Sequence, residues 1–232
     1  MAWRVPPMWK DGRCWIIGGG PSVPRQFEVP ENIIQKVLVH ELPPSSYSDY
    51  MSPIHREHVI GVNNVYKIGT WIDVLFFGDC SWYLLHRRNL AKWPGLKTTC
   101  CNRFKKKKSE ESEGIKYLQK DHDHRKGISL NQTKVSWNNN SGAAAISLAA
   151  HLGVRQILLL GFDMSLDKNK VSHWHGSHGK PYEKKRNPPF QRHLIGFPAI
   201  AKDAKTRGIE ILNLSPKSAI KDLKKANLSD IL

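Results

Sequence analysis

Four short apolar runs in this chain each end in a residue that can donate to, accept from or approach a ligand. RCWII at 13–17 runs into Gly18, Gly19 and Gly20 with Ser22 beyond; the run at 58–62 ends in Asn63 and Asn64; the run at 73–77 ends in Gly78 and Asp79; and QILLL at 156–160 ends in Gly161 and Asp163. Packing alone gives no reason for polar groups to fall at the same end of every strand. In an open α/β sheet, however, ligands sit outside the carboxyl ends of parallel strands. Glycines there let backbone N–H groups close on a phosphate, and the Ser22 hydroxyl is a further donor. A second polar group, Asn138, Asn139, Asn140, Ser141 and Gly142, precedes an apolar segment and exceeds what one helix cap needs. A helix N-terminus presents unpaired N–H groups and a positive dipole end, suited to phosphate or carboxylate. The third group is His173-Trp174-His175-Gly176-Ser177-His178, where a loop histidine could supply or remove a proton. The three histidines also suit zinc, but no cysteine or carboxylate lies at useful spacing, so a catalytic role is the expectation.

The elements that must position these groups follow from composition. Ser141–Leu152 is rich in Ala and Leu and nearly uncharged, which predicts a helix buried on more than one face, capped by Asn140 or Ser141 and closed by Gly153. Gln156–Leu160 has the length and composition of an interior strand. A short helical or extended piece is expected over 32–42, a surface loop over 43–53, a helix with aromatic and basic faces over 81–92, a helix over 196–207 and a strand over 209–214. Ser215-Pro216 is expected to cap a closing helix through Lys225. The glycine turn lacks the GxGxxG spacing, and no helix is expected directly after it. Together these predict an α/β protein with a Rossmann-like, doubly wound, mostly parallel sheet over 1–232, carrying basic inserted lobe or lid segments at 98–135 and 165–192. Asp121-x-Asp123 has the form of a metal-holding pair, but it sits inside a charge run rather than after an apolar strand.

The chain has 232 residues, 40% hydrophobic and 24% charged, values ordinary for a globular protein. Its charge balance is not ordinary: 36 Lys and Arg against 20 Asp and Glu give +16, which favours a polyanionic partner such as nucleic acid or an anionic membrane surface. The four cysteines, Cys14, Cys80, Cys100 and Cys101, show no CxxC or secreted spacing and read as reduced, buried thiols. The absence of an apolar leader or of a run of membrane-spanning length leads to a cytoplasmic expectation.

In the segments IIGGGPS at 16–22, VNN at 62–64, FFGDCS at 76–81, NNSGAAAISLAAHLGVRQILLLGFD at 139–163, HWHGSH at 173–178 and ILNLSPKSAI at 211–220, the chain resembles the bacterial sialyltransferases that modify lipooligosaccharide. The resemblance implies that Gly18, Gly20, Ser22, Asn63, Asp79, Ser141, Gly142 and Asp163 approach the nucleotide, and that a histidine of 173–178, His178 first, is the general base. Gly19 stands where that family carries Asn, Ser165 where it carries the first of its tyrosines after the Gly-x-Asp, and Ser177 where the catalytic histidine aligns, one residue before His178.

The reading that follows is a glycosyltransferase working from a nucleotide sugar, whether CMP-, UDP- or GDP-linked. The catalytic candidates are His178, His175, His173 and Asp79. Donor contacts are expected from Gly18, Gly19, Gly20, Ser22, Asn63, Asn64, Asn140, Ser141, Gly142 and Asp163. No further cofactor and no divalent metal is expected. Arg87, Arg88, Lys105, Lys106, Lys184, Lys185, Arg186 and Trp174 are expected at the acceptor. With the charge, they point to DNA carrying hydroxymethylated pyrimidines, as in a virus-encoded (bacteriophage) enzyme acting in the host cytoplasm, with Trp82, Trp174 and Tyr182 stacking on a flipped base. A cell-surface glycan acceptor, a pterin pyrophosphokinase-like activity and a non-catalytic nucleic-acid-binding protein are the alternatives. The oligomeric state stays open.

Overall fold

The computed structural model of the chain describes residues 1–106, 113–123, 126–176 and 189–232. In chain order the strands are β1 (Arg13–Ile17), β2 (His58–Val62), β3 (Val74–Phe77), β4 (Leu96–Thr99), β5 (Lys116–Tyr117), β6 (Gln119–Asp121), β7 (Lys134–Ser136), β8 (Gln156–Leu160), β9 (Glu210–Asn213) and β10 (Lys224–Lys225). The helices are α1 (Ser22–Gln26), α2 (Glu31–Leu38), α3 (Cys80–Lys92), α4 (Ser141–Leu152), α5 (Phe190–Leu194) and α6 (Phe197–Thr206). Eight strands form one sheet in the order β10-β9-β8-β1-β2-β3-β4-β5, and every pairing in it is parallel. The expected doubly wound α/β fold is therefore what the chain adopts. Strand order reverses between β1 and β8, which is where such a sheet opens a crevice.

Both faces of the sheet are covered, so its central strands are continuous apolar runs instead of alternating ones. Trp15, Ile17, Leu158 and Leu160 face a core completed by Val23, Ile34, Val37 and the aromatic residues of α3. Ile16, Ile60, Phe76 and Leu159 face the other, completed by α4 and α6. This two-sided enclosure accounts for the composition of α4, in which every residue from Gly142 to Ala149 is buried. Asn140 caps the helix, its Oδ1 accepting from Gly142 N at 2.8 Å and Ala143 N at 3.3 Å, and Gly153 ends it at φ 95°.

Five local expectations are corrected. A helix, α1, does follow the glycine turn at once. The expected surface loop at 43–53 contains two 3-10 turns, Pro44–Tyr47 and Asp49–Ile54, which bury Tyr47, Met51 and Ile54. The stretch 98–135 is not wholly separate from the sheet: it supplies the end of β4 and all of β5, and only β6 and β7 pair apart as a two-stranded sheet. The closing helix from Ser215 does not form. Its backbone and hydroxyls are committed across the chain instead, with Ser218 Oγ donating to Phe162 O at 2.6 Å and Ala219 N to Asp163 O at 2.8 Å.

The fifth correction concerns the cysteines. Cys80 and Cys101 form a disulfide with Cα atoms 5.3 Å apart, while Cys14 and Cys100 are buried thiols. Among the described residues, no helix is long and apolar enough to cross a membrane. The disulfide joins positions 21 residues apart, a closure worth about 3 kcal/mol in the chain-entropy account. Reduction, or Cys101→Ser, is expected to lower the thermal midpoint by several degrees in calorimetry, with no change of secondary structure by circular dichroism.

Candidate functional site

The register of the sheet brings its polar ends into one row. Ile17 pairs with both Gly61 and Leu160, and Val62 pairs with Phe76, so Gly18, Asn63, Gly78 and Gly161 emerge side by side. Above them lies a cavity of about 640 Å³, whose wall includes Gly18, Gly19, Gly20, Asn63, Asp79, Asn140, Ser141, Gly142 and Asp163, together with His173 and His175. The expected donor-site residues are thus brought to one place, apart from Ser22 and Asn64, which stand one layer behind.

The glycine turn is held against the turn after β8. Gly20 N donates to Gly161 O at 2.9 Å, and a Cβ on residue 20 would collide with Asp163 Oδ2, so only glycine fits there. Ser22 Oγ donates to the same Oδ2 at 3.0 Å. Burial raises the pKa of Asp163, and its bonds to Ser22 partly offset that rise. Asp163 and Ser22 thus brace the turn. Asp79, expected among the catalytic groups, caps α3: its Oδ1 accepts from Ser81 N at 2.8 Å and Ser81 Oγ at 2.9 Å.

Asn63 adopts a left-handed backbone, φ 54°, and its buried Oδ1 has no hydrogen-bond partner among the described residues. A buried acceptor on a cavity wall without a donor is costly unless a ligand supplies one. Asn64 is different, since its Oδ1 accepts from Trp82 Nε1 at 2.7 Å and its Nδ2 lies 3.1 Å from His175 Nδ1.

Trp174 is corrected. Expected to stack on an acceptor base, it is 1% exposed, with Nε1 donating to Gly18 O at 2.9 Å and its backbone N to Gly19 O at 3.0 Å. Trp82 is likewise buried under α3. Trp174 pins the 173–175 strap over the glycine turn, leaving the stacked rings of His173 and His175, 5.1 Å apart, on the cavity wall. Arg87, Arg88, Lys105 and Lys106 are exposed and do not line the cavity. His178, Lys184, Lys185, Arg186 and Tyr182 lie outside the described residues.

Among the wall residues that sequence reasoning missed are Lys120, Trp137, Arg192 and His193. His193 sits on α5, and its pKa is lowered to about 4, first by burial and then by the charges of Arg192 and His173. An imidazole so placed is neutral at physiological pH and can accept a proton. The signal for it was a histidine just ahead of the Gly196 that begins the α6 turn, hidden in a stretch that reads as basic and Pro-rich. Among the described residues, no three His, Cys, Asp or Glu side chains are grouped closely enough to hold a metal ion.

This fold occurs in solved glycosyltransferases. The structure is similar to the MAf glycosyltransferase from Magnetospirillum magneticum AMB-1, with a TM-score of 0.60 at 11% identity over all of this chain. It is also similar to the sialyltransferase CstII from Campylobacter jejuni in complex with cytidine-5'-monophosphate, with a TM-score of 0.51 at 15% identity over 92% of this chain. The chain shares the fold of these two proteins. It spans 36% of the length of the MAf protein and 84% of that of CstII. No protein-family model and no curated protein sequence matches it.

The lowered pKa of His193 also sets a stability window. The unfolded chain takes up this proton near pH 6.5 and the folded chain only near 4, so stability falls as pH drops through that interval and is flat above it. His193→Asn is expected to lose less in melting temperature between pH 7 and 4.5 than the wild type, measured by thermal scans at stepped pH.

Proposed function

We propose that the protein transfers a sugar from a nucleotide-sugar donor, CMP-linked before UDP- or GDP-linked, to an acceptor hydroxyl. The observation that carries this reading is the convergence of four strand ends and the N-terminus of α4 on one cavity that also holds a neutral histidine. The likeness to CstII, which was solved with a cytidine nucleotide, favours CMP.

In this reading the glycine turn and the α4 N-terminus receive the phosphate, and the unpartnered Asn63 Oδ1 accepts from a ribose hydroxyl or a base amine. His193 Nδ1 or Nε2 takes the acceptor hydroxyl proton while that oxygen bonds to the anomeric carbon. The bond from that carbon to the phosphate oxygen breaks, and its electron pair stays on the phosphate. His193, a cavity-wall residue, is taken as the base; His178 lies outside the described residues.

For the acceptor, a surface glycan is the first choice and hydroxymethylated DNA the second. The DNA reading rests on the +16 charge and on exposed Arg87, Arg88, Lys105 and Lys106, while two of the three aromatics expected to stack on a flipped base are buried.

Incubation with CMP-, UDP- and GDP-sugars, with and without a glycan or hydroxymethylated DNA, tests the proposal by nucleotide release and by product mass. Release from one donor class is expected, and no release from any donor, or consumption of ATP instead, defeats the proposal. His193→Asn is expected to lower turnover by about 10²- to 10⁴-fold with nucleotide affinity retained. In the wild type, the acid limb of kcat/KM should lie near pH 4 to 5, because a depressed base stays deprotonated further into acid.

A further inference from the structure

The cavity wall opposite the glycine turn holds a cation that the expected donor site does not include. Lys120 lies on β6, and its Nζ sits 3.9 Å from the centroid of the Trp137 ring and 3.4 Å from Gly78 O. Trp137 in turn packs against the residue that follows β3: a Cβ on residue 78 would collide with its ring, so glycine at 78 is what lets the indole reach that position. The same added Cβ would stand 3.2 Å from Ser141 Oγ, so the first residue of α4 borders the same spot. The Gly78 backbone, the Trp137 indole and the Lys120 ammonium are in mutual contact beside the N-terminus of a twelve-residue helix.

Two further features show that this placement is built. The small β6–β7 sheet sets Lys120 opposite Val135, and Trp137 N donates to Asp121 O at 2.9 Å, so the pairing that ties the two strands delivers both residues to the wall. Among the described residues Lys120 makes no ion pair, and the wall carboxylate Asp79 is turned to Ser81 as the cap of α3. An ammonium has three donors, of which the Gly78 carbonyl takes one at long range and the indole face a second. A positive side chain set beside a positive helix end, with no carboxylate paired to it among the described residues, gains when an anion arrives.

We infer that Lys120 is a catalytic residue that holds the phosphate of the donor and stabilises the charge left on it when the anomeric carbon departs. This rests on the nucleotide-sugar reading. The bond between the anomeric carbon and the phosphate oxygen breaks with its electron pair remaining on that oxygen. The Lys120 ammonium donates to that oxygen as its charge grows. The indole fixes the ammonium in place before the substrate binds, so little reorganisation is needed at the reacting moment.

The test compares binding of a nucleoside with that of its monophosphate. CMP and cytidine, with UMP, GMP and their nucleosides as parallel pairs, are titrated calorimetrically into wild type, Lys120→Met and Lys120→Arg. Methionine keeps an unbranched apolar stem against Trp137, and melting curves verify that each variant is folded. The wild type is expected to bind one monophosphate more tightly than its nucleoside. Lys120→Met should cut that ratio at least tenfold with nucleoside affinity unchanged, and Lys120→Arg should restore most of it. Turnover of the matching donor should fall in Lys120→Met by more than its affinity does. A Lys120→Met protein that keeps the wild-type ratio, or that loses nucleoside and monophosphate affinity equally, overturns the assignment while leaving the nucleotide-sugar reading standing. A wild type that binds none of the nucleotides overturns both.

Discussion

The tightest constraint in this molecule is the approach of two turns at the point where strand order reverses. Ile17 and Leu160 are register partners, so the chains leaving β1 and β8 exit together, and Gly18 N and Gly20 N both donate into the β8 side, to Leu160 O and Gly161 O. There is room for this only because residue 20 lacks a Cβ and Asp163 occupies that volume. Much else is anchored to the junction. Ser22 starts α1 on the Asp163 carboxylate, Ser218 and Ala219 reach back to the carbonyls of Phe162 and Asp163, and Trp174 lies on the carbonyl of Gly18. The pattern His-Trp-His follows from this anchoring: the tryptophan turns inward to the glycine turn, and the histidines on either side face the cavity.

The parts of the fold legible in the sequence are those whose environment is uniform. Ser141–Leu152 and Gln156–Leu160 are enclosed on all sides, so composition alone marks both their type and their ends. The polar residues at strand ends were legible because parallel register turns a recurrence along the chain into proximity in space. What could not be read depends on partners far away in sequence. The segment after Ser215 has the residues of a capped helix, but its donors are taken by the 162–163 turn. Cys80 and Cys101 show no spacing motif; they meet because Phe77 and Thr99 are register partners, which leaves the two cysteines three and two residues beyond adjacent strand ends. His193 lies next to Arg192 and reads as surface until α5 is placed against the cavity.

The positive balance of the chain divides into two physically distinct parts. Exposed groups such as Arg87, Arg88, Lys105 and Lys106 act through solvent, where a Debye length of about 8 Å at physiological salt limits them to steering and weak attraction. Lys120 is half-buried on the cavity wall, where the lining carboxylates Asp79 and Asp163 are held by their own hydrogen bonds, one as a helix cap and the other as a brace. The two populations respond differently to salt: raising it weakens the exposed set more than a half-buried cation held against the cavity wall.

That division bears on why a small two-stranded sheet hangs off the β5 edge of the main one. β6 and β7 bury little apolar surface, and two isolated strands are marginal in water by themselves. Their pairing runs directly into the Asn140 cap of α4 through Trp137, whose carbonyl accepts from Asn140 N at 3.0 Å. Ser147 Oγ, from within α4, accepts from the backbone N–H of Ser129 at 2.9 Å and of Ser136 at 3.4 Å, tying the β7 end down to the helix. The appendage is thus held by the helix whose N-terminus it flanks. A cation on a free loop would spend conformational entropy each time an anion bound; one fixed through β6, Trp137 and α4 has lost that freedom already in folding.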